Sequence, residues 1–431
     1  MDFNTCMAEV ASLGKFGINL GLQRITELLY RLGEPQKRIP QYLHVTGTNG
    51  KGSVSAMCES MLRAGGFKTG FFSSPHLQSY GERCRINGQP MREEQVAEYL
   101  SRIIPVVKEM VAEGWESPTE FEVATAFGLL AMAEAQVDWA VVEVGMGGSI
   151  DSTNVIDAGL AVITNVSVEH TAYLGDTVEA IAEVKAGIIK PGATVLTAAA
   201  EPAYGVIAAR AAAQQATLRC AGADFSATLV QADEYGQSLD IRVGDTLLRE
   251  VRLPLLGSYQ RENAALAVAA ALAMGLDENA IRYGLQQVRW PARLEVLRRR
   301  PLVVLDGAHN PDGIRRLVAS LNELWPDKRK VALLGIVADK DRREMIETIA
   351  PLLDAAVVTS PPVVRAGDWR YCAAVLREQG VAVEEVADVA AACARAEALL
   401  EAGAGEMLIC CGSLYMAADI RSYFLQEVSL C

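Results

Sequence analysis

The chain has 431 residues, 51% of them hydrophobic and 22% charged, a globular composition with room for two or three domains that excludes a disordered protein. A formal net charge of −13 argues against a broad nucleic-acid surface, because phosphate backbones are bound chiefly through Lys and Arg, but it leaves room for a local basic pocket. The longest uncharged apolar run, 264–276, is too short to span a bilayer; no secretory signal opens the chain, and its nine cysteines form no C-x-x-C pair, so a cytoplasmic protein with reduced, mostly buried thiols is expected.

From the N-terminus, apolar β-branched runs at 42–46, 68–72, 139–144, 160–164 and 193–197 alternate with helical patterns at 51–64, 92–113, 119–135 and 177–189. Strands separated by helical crossovers predict a parallel sheet covered on both faces. Ligands of such a sheet bind at the carboxyl ends of its strands, where the strand order reverses. The alternating residues and Gly-containing turns of 217–256 predict a small antiparallel sheet, followed by an Ala-rich helix over about 260–275. A charged, proline-bearing stretch near 287–300 marks a boundary. The α/β rhythm then resumes, with strands expected at 302–306, 331–336, 356–360, 381–386 and 407–411. Two α/β domains, 1–293 and 294–431, with a cleft between them are the expectation.

The stretch "YLHVTGTNGKGSVSAM" (42–57) runs from strand through a glycine-rich turn into a helix. It departs from the usual phosphate-loop spelling: Gly52 follows Gly50-Lys51, Ser53 is delayed by one, and Val45 stands where the first Gly belongs. Gly47, Gly50 and Gly52 nonetheless allow successive N–H groups to converge on an anion at a helix N-terminus. Lys51 supplies a point charge and Ser53 a magnesium ligand; the plain alternative is a linking turn. "FFSSPHL" (71–77) brings Ser73 and His76 to the next strand end, although a surface histidine is the simpler reading of that motif alone. Glu143 sits near the end of the apolar "AVVEVG", where a carboxylate is costly unless it is paired or holds a metal. His170 ends a fourth strand, while His44 lies within a strand as a core residue. Lys185 falls on the apolar face of its helix, where physics alone favours snorkelling to the rim. In the second domain "VVLDGAHNPDG" places Asp306, His309 and Asn310 in a polar loop after a strand, with a capping turn as the plain alternative.

Taken in order, "HVTGTNGKGS", "SPHL", "EVGMGGSIDSTNV", "KAGIIKPG", "LLGSYQRENA", "WPARLE", "DGAHNP" and "GSLY", after "GLQRITELLYRLGEPQ", resemble the folylpolyglutamate synthase / dihydrofolate synthase family of the Mur ligase superfamily over nearly the full length. The loop spelling is that superfamily's own. The resemblance implies an N-terminal P-loop-type parallel sheet with helices on both faces, a small antiparallel sheet, and a C-terminal Rossmann-like α/β domain. It implies an ATP-dependent ligase that activates a carboxylate of dihydropteroate or a folate as an acyl phosphate and joins it to L-glutamate.

Carried over by motif, Gly47, Thr48, Asn49, Gly50, Lys51, Gly52 and Ser53 would cradle ATP, with Asn263, Arg293 and Asp306 contacting the nucleotide. Ser73, Glu143 and His170 would hold a pair of magnesium ions beside a carbamylated Lys185. Asp306 and His309 would serve the ATP and glutamate sites, with Ser413 at the glutamate. Arg83 would lie near the carboxylates, and Thr119, Phe121 and Asp151 at the pterin. The family habit is a monomer that uses neither nucleic acid nor membrane. The other readings are a different Mur-type amino-acid ligase, which usually carries a further domain ahead of the loop, and a non-catalytic nucleotide-binding protein. Ser149, Tyr259, Gly81, Glu169 and Val184 depart from the family pattern at an arginine, a histidine, an asparagine, an aspartate and a glutamate respectively.

Overall fold

A computed structural model describes residues 1–14 and 19–428. The chain divides into two compact units: residues 1–228, 239–252 and 262–288, and residues 229–238, 253–261 and 289–431.

The first unit is built on eight strands: β1 (Gln41–Thr46), β2 (Thr69–Phe72), β3 (Cys84–Ile86), β4 (Gln89–Pro90), β5 (Trp139–Glu143), β6 (Leu160–Ile163), β7 (Thr194–Thr197) and β8 (Thr217–Cys220). Their order is β4-β3-β2-β5-β1-β6-β7-β8. Pairing is parallel from β2 to β8 and antiparallel only at β3 and β4. Strand β1 is central, with β5 on one side and β6 on the other, so the chain reverses direction across the sheet beside it. Every residue of β1 but the first is buried, as expected of a strand covered on both faces. One core joins helices Glu93–Ala112 and Glu120–Glu134 to Tyr42, Phe72, Ala140 and Val142. Another packs helices Val178–Ala186 and Ala203–Ala213 on Ala161, Ile163 and Val195. The strand at Thr217–Cys220, expected in the small antiparallel sheet, pairs in parallel with β7 instead. The reason is the helix Ala203–Ala213 that precedes it, since a helical crossover returns the chain in the same direction.

Three further strands, β9 (Phe225–Asp233), β10 (Gly236–Val243) and β11 (Thr246–Leu253), form the small antiparallel sheet. The second unit carries a six-stranded, Rossmann-like sheet of β12 (Glu295–Arg299), β13 (Leu302–Leu305), β14 (Lys330–Leu334), β15 (Ala355–Val358), β16 (Ala382–Glu385) and β17 (Met407–Cys411). Its order is β12-β13-β17-β14-β15-β16, parallel except for β12 against β13. Strand β12 lies in the charged stretch read as a boundary; an edge strand tolerates such charge because one side faces no partner strand. Leu302, Val304, Ala332, Leu334, Ala356 and Ile409 form the floor of this unit's core. Among the described residues no helix is long and apolar enough to cross a membrane.

Candidate functional site

The glycine-rich loop leaves the carboxyl end of β1 and turns into helix Lys51–Ala64. Gly47 has φ 144° and Gly50 φ 88°, conformations that side chains other than hydrogen rarely adopt. Close approach also demands glycine at both. A Cβ on Gly47 would lie 1.8 Å from Thr164 Oγ1, and one on Gly50 2.5 Å from Asn263 Oδ1. The loop is tied to the end of β6. The Thr48 amide donates to Asn165 O (2.8 Å), the Asn49 amide to Asn165 Oδ1 (2.9 Å), and Thr164 Oγ1 to Asn49 O (2.6 Å). Lys51 Nζ folds back over the loop, donating to Gly47 O (2.8 Å) and Thr48 O (3.0 Å). Those two carbonyls fix the position of the ammonium over the loop. Asn165 was not singled out from sequence; its signal, a polar residue ending "VITN", is too common to stand alone.

Ser73 follows β2, Glu143 is the last residue of β5, and His170 lies in the segment after β6. Ser73 and Glu143 are buried, and His170, at φ 47°, caps the short helix Thr171–Leu174. Among the described residues no three His, Cys, Asp or Glu side chains are gathered into a ready-made metal centre. The donors present are hydroxyl and carboxylate oxygens plus one imidazole, a set suited to a hard cation that draws its remaining ligands from phosphates. Lys185 does not snorkel. Its side chain is 1% exposed and Nζ donates to Glu169 Oε1 at 2.8 Å. Burial pushes the ammonium down from its ordinary value, against the pull of Glu169. Burial pushes Glu169 up, but the charges of Lys185 and Lys51 outweigh it and hold that carboxyl at about 2. Glu169 thus links the loop lysine to the helix lysine electrostatically.

Arg83 lies beyond β2, its carbonyl accepting from the Ser73 amide (3.1 Å). Its Nε donates to His76 Nδ1 (3.0 Å), its Nη2 to Glu120 Oε1 (3.3 Å), and its guanidinium stacks over Tyr80. Burial and then Arg83 lower the basicity of His76, with Glu82 opposing. Gly81 has a steric reason of its own, since a Cβ there would lie 1.8 Å from Met91 O. Thr119 is the N-cap of helix Glu120–Glu134, accepting from the Glu122 amide, and Phe121 packs on Gly145, where a Cβ would lie 2.4 Å from its ring. Asp151 is buried and organises its own loop, accepting from the Thr153 amide (3.0 Å), Thr153 Oγ1 (2.5 Å) and the Met146 amide (2.8 Å). Behind it stands His44, whose Nε2 lies 2.9 Å from Thr153 Oγ1.

The second unit has its own cluster at the end of β13. Asp306 Oδ2 accepts from Tyr259 Oη (2.9 Å) and the Leu294 amide (2.8 Å), while Oδ1 accepts from the Ala308 amide (2.8 Å). Burial pushes this carboxyl up, against Arg293 and these donors. Tyr259, in place of a histidine, therefore still delivers a hydrogen bond to Asp306. Arg293 is flanked by Ala292 (φ 55°) and Leu294 (φ 46°), two strained non-glycine residues of the kind that gather at functional sites. His309 Nδ1 lies 2.8 Å from Gly307 O, and Asn310 caps helix Pro311–Leu324, as the capping reading of that loop expects. Ser413 is buried and caps the turn after β17, accepting from the Tyr415 amide.

Comparison with known proteins adds a second line of evidence. The Mur ligase middle domain matches residues 45–271 and the Mur ligase glutamate ligase domain residues 292–414. The chain is 36% identical to the dihydrofolate synthase/folylpolyglutamate synthase of Bacillus subtilis, over 94% of this chain and 95% of that protein. It is also 36% identical to a probable bifunctional folylpolyglutamate synthase/dihydropteroate synthase of Halobacterium salinarum, over 98% of this chain but only 52% of that longer protein's length. Among solved structures, the folylpolyglutamate synthase of Mycobacterium tuberculosis complexed with ADP superposes with a TM-score of 0.90 at 33% identity, covering 98% of this chain and 99% of that one.

Proposed function

The chain belongs to the folylpolyglutamate synthase/dihydrofolate synthase family, and on that premise we propose that it joins L-glutamate to dihydropteroate, to folates, or to both, at the expense of ATP. It is an ATP-dependent, ADP-forming amide ligase. The observation that carries the reading is the glycine-rich loop between β1 and its helix, where Lys51 folds back over the turn at the helix N-terminus. The substrate carboxylate attacks the γ-phosphorus of ATP, forming an acyl phosphate and ADP. The amino nitrogen of glutamate then attacks the acyl carbon and phosphate leaves.

Lys51 leaves its two loop carbonyls for the phosphates and neutralises charge on the transferring group. The helix N-terminus that follows Gly50 binds the phosphate oxygens, while the Thr48 and Asn49 amides stay on Asn165 and hold the loop's shape. Asn263 meets the nucleotide beside Gly50, and Arg293 and Asp306 are the family's further nucleotide contacts. Ser53, Ser73, Glu143 and His170 are the residues that would hold magnesium, which supplies charge neutralisation at the phosphates. His309, its ring oriented by the Nδ1 hydrogen bond to Gly307 O, serves the glutamate. Ser413 completes that side, and Arg83, Thr119, Phe121 and Asp151 serve the pterin substrate. Lys185, buried on Glu169, is the position for a carbamate, formed when the neutral amine adds carbon dioxide and releases a proton. Intact mass of the native protein tests it: an increment of one carbon dioxide that a Lys185→Ala variant lacks is expected, and its absence from the native protein ends the idea.

The function is tested by phosphate release with ATP and glutamate, adding dihydropteroate or a reduced folate in turn. Turnover stimulated by at least one pterin is expected; if neither stimulates, the folate reading fails. Lys51→Ala is expected to reduce turnover by at least about a thousandfold with the thermal midpoint nearly unchanged, the scale of losing a key charge on the phosphoryl group.

A further inference from the structure

We propose that Thr125 and Ser152 are positioning residues for the pterin: their paired hydroxyls lock the helix that carries Thr119 and Phe121 to the loop that carries Asp151. The inference rests on the reaction proposed above, which sets the pterin against those three residues.

The hydroxyl protons fix the direction of the pair. Thr125 Oγ1 donates to Phe121 O (2.9 Å), one turn back in helix Glu120–Glu134, and a carbonyl can only accept. That uses the single proton of Thr125. Its oxygen lies 2.6 Å from Ser152 Oγ and must therefore accept from Ser152. Ser152 opens the turn Ser152–Val155 and follows Asp151 directly. Both side chains are buried, so bulk water does not compete for either hydroxyl.

The same stretch of chain meets the helix a second time. Phe121 and Thr125, four residues apart, share one face of the helix. Phe121 packs on Gly145, where a Cβ would lie 2.4 Å from its ring, and Asp151 accepts from the amide of the next residue, Met146 (2.8 Å). Residues 145–152 are thus held to that face by a ring contact at one end and a hydroxyl pair at the other. Apolar contact is non-directional and lets two surfaces slide, whereas a short hydrogen bond between buried hydroxyls sets their register. A pterin that binds both elements meets all its partners only while their spacing holds. Loosening the pair should therefore weaken the pterin and spare ATP, whose phosphates sit at the glycine-rich loop.

Ser152→Ala removes the donor but leaves Thr125 satisfied by Phe121 O, so folding is little disturbed. It is expected to raise the KM for the pterin about fivefold, the scale of one net hydrogen bond, with the KM values for ATP and glutamate within about twofold and the thermal midpoint nearly native. Thr125→Ser keeps the hydroxyl and is expected to behave as the native protein. Thr125→Val is expected to match Ser152→Ala in pterin KM, and the double variant to be no worse than either single, because all three break one bond. A native pterin KM in Ser152→Ala, an equal rise in the KM for ATP, or a double variant whose effect is the product of the singles overturns the assignment and leaves the reaction standing. Absence of turnover with every pterin in the unsubstituted protein overturns both.

Discussion

At the scale of single residues, buried polar groups show most about how the site is held. His44 is wholly buried in β1, and its proton affinity is depressed to about 3 by burial and then by the Lys190 charge. Neutral His44 donates from Nε2 to Thr153 Oγ1, which donates in turn to Asp151, so a core histidine steadies a loop carboxylate. The linkage has a definite sign. The unfolded chain takes up this proton near the ordinary histidine value of 6.5, and the folded chain only near 3. Stability from His44 is therefore complete above about pH 6.5 and is lost as pH falls toward 3, by up to about 1.4 kcal/mol per pH unit. His44→Gln keeps a donor for Thr153 and removes the titration. Urea unfolding at a series of pH values is expected to give a flatter curve for that variant over this window; parallel curves would mean His44 does not carry the dependence. Tyr259, Glu169 and Gly81 teach a related lesson. Sequence marked them as departures from a family pattern, but their reasons (Asp306, Lys185, and the Met91 carbonyl) are neighbours in space.

At the scale of elements, the strand–loop–helix unit was fully legible. Its helix was expected over 51–64 and spans Lys51–Ala64, because glycines, lysine and an uninterrupted helical run follow one another locally. The loop's rigidity has a measurable consequence. Alanine at Gly47 would be strained at φ 144° and would strike Thr164 Oγ1, which also anchors Asn49. Gly47→Ala is expected to cost about 1–3 kcal/mol in urea unfolding and to weaken nucleotide affinity at least about tenfold. A variant that binds ATP normally would show that the loop tolerates a different shape. Strands β8 and β12 were less legible. Thr217–Cys220 is short and precedes an antiparallel meander, so its parallel partner, β7, could be identified only in space. Glu295–Arg299 is too charged to read as a strand until the edge of the second sheet is seen.

At the scale of the whole molecule, the chain forms two units, each with a core of its own. Binding to the folded state alone should stabilise it by mass action. A non-hydrolysable ATP analogue at one hundred times its Kd is expected to add about 2.7 kcal/mol to the unfolding free energy of the unit carrying Lys51, measured by denaturant titration. The Lys51→Ala variant at the same analogue concentration should gain much less, and an equal gain would place the nucleotide elsewhere. The sequence by itself determined the α/β rhythm, the phosphate loop and the order of motifs along the chain, because periodicity, glycine and helix-start chemistry act between residues close in sequence. Only the tertiary structure decided that Lys185 is buried on Glu169, that His44 supports Asp151 through Thr153, that Tyr259 serves Asp306, and that Arg83 fixes the tautomer of His76. Each of those facts depends on which side chains share a low-dielectric interior, where the cost of an unpaired polar group selects its partner.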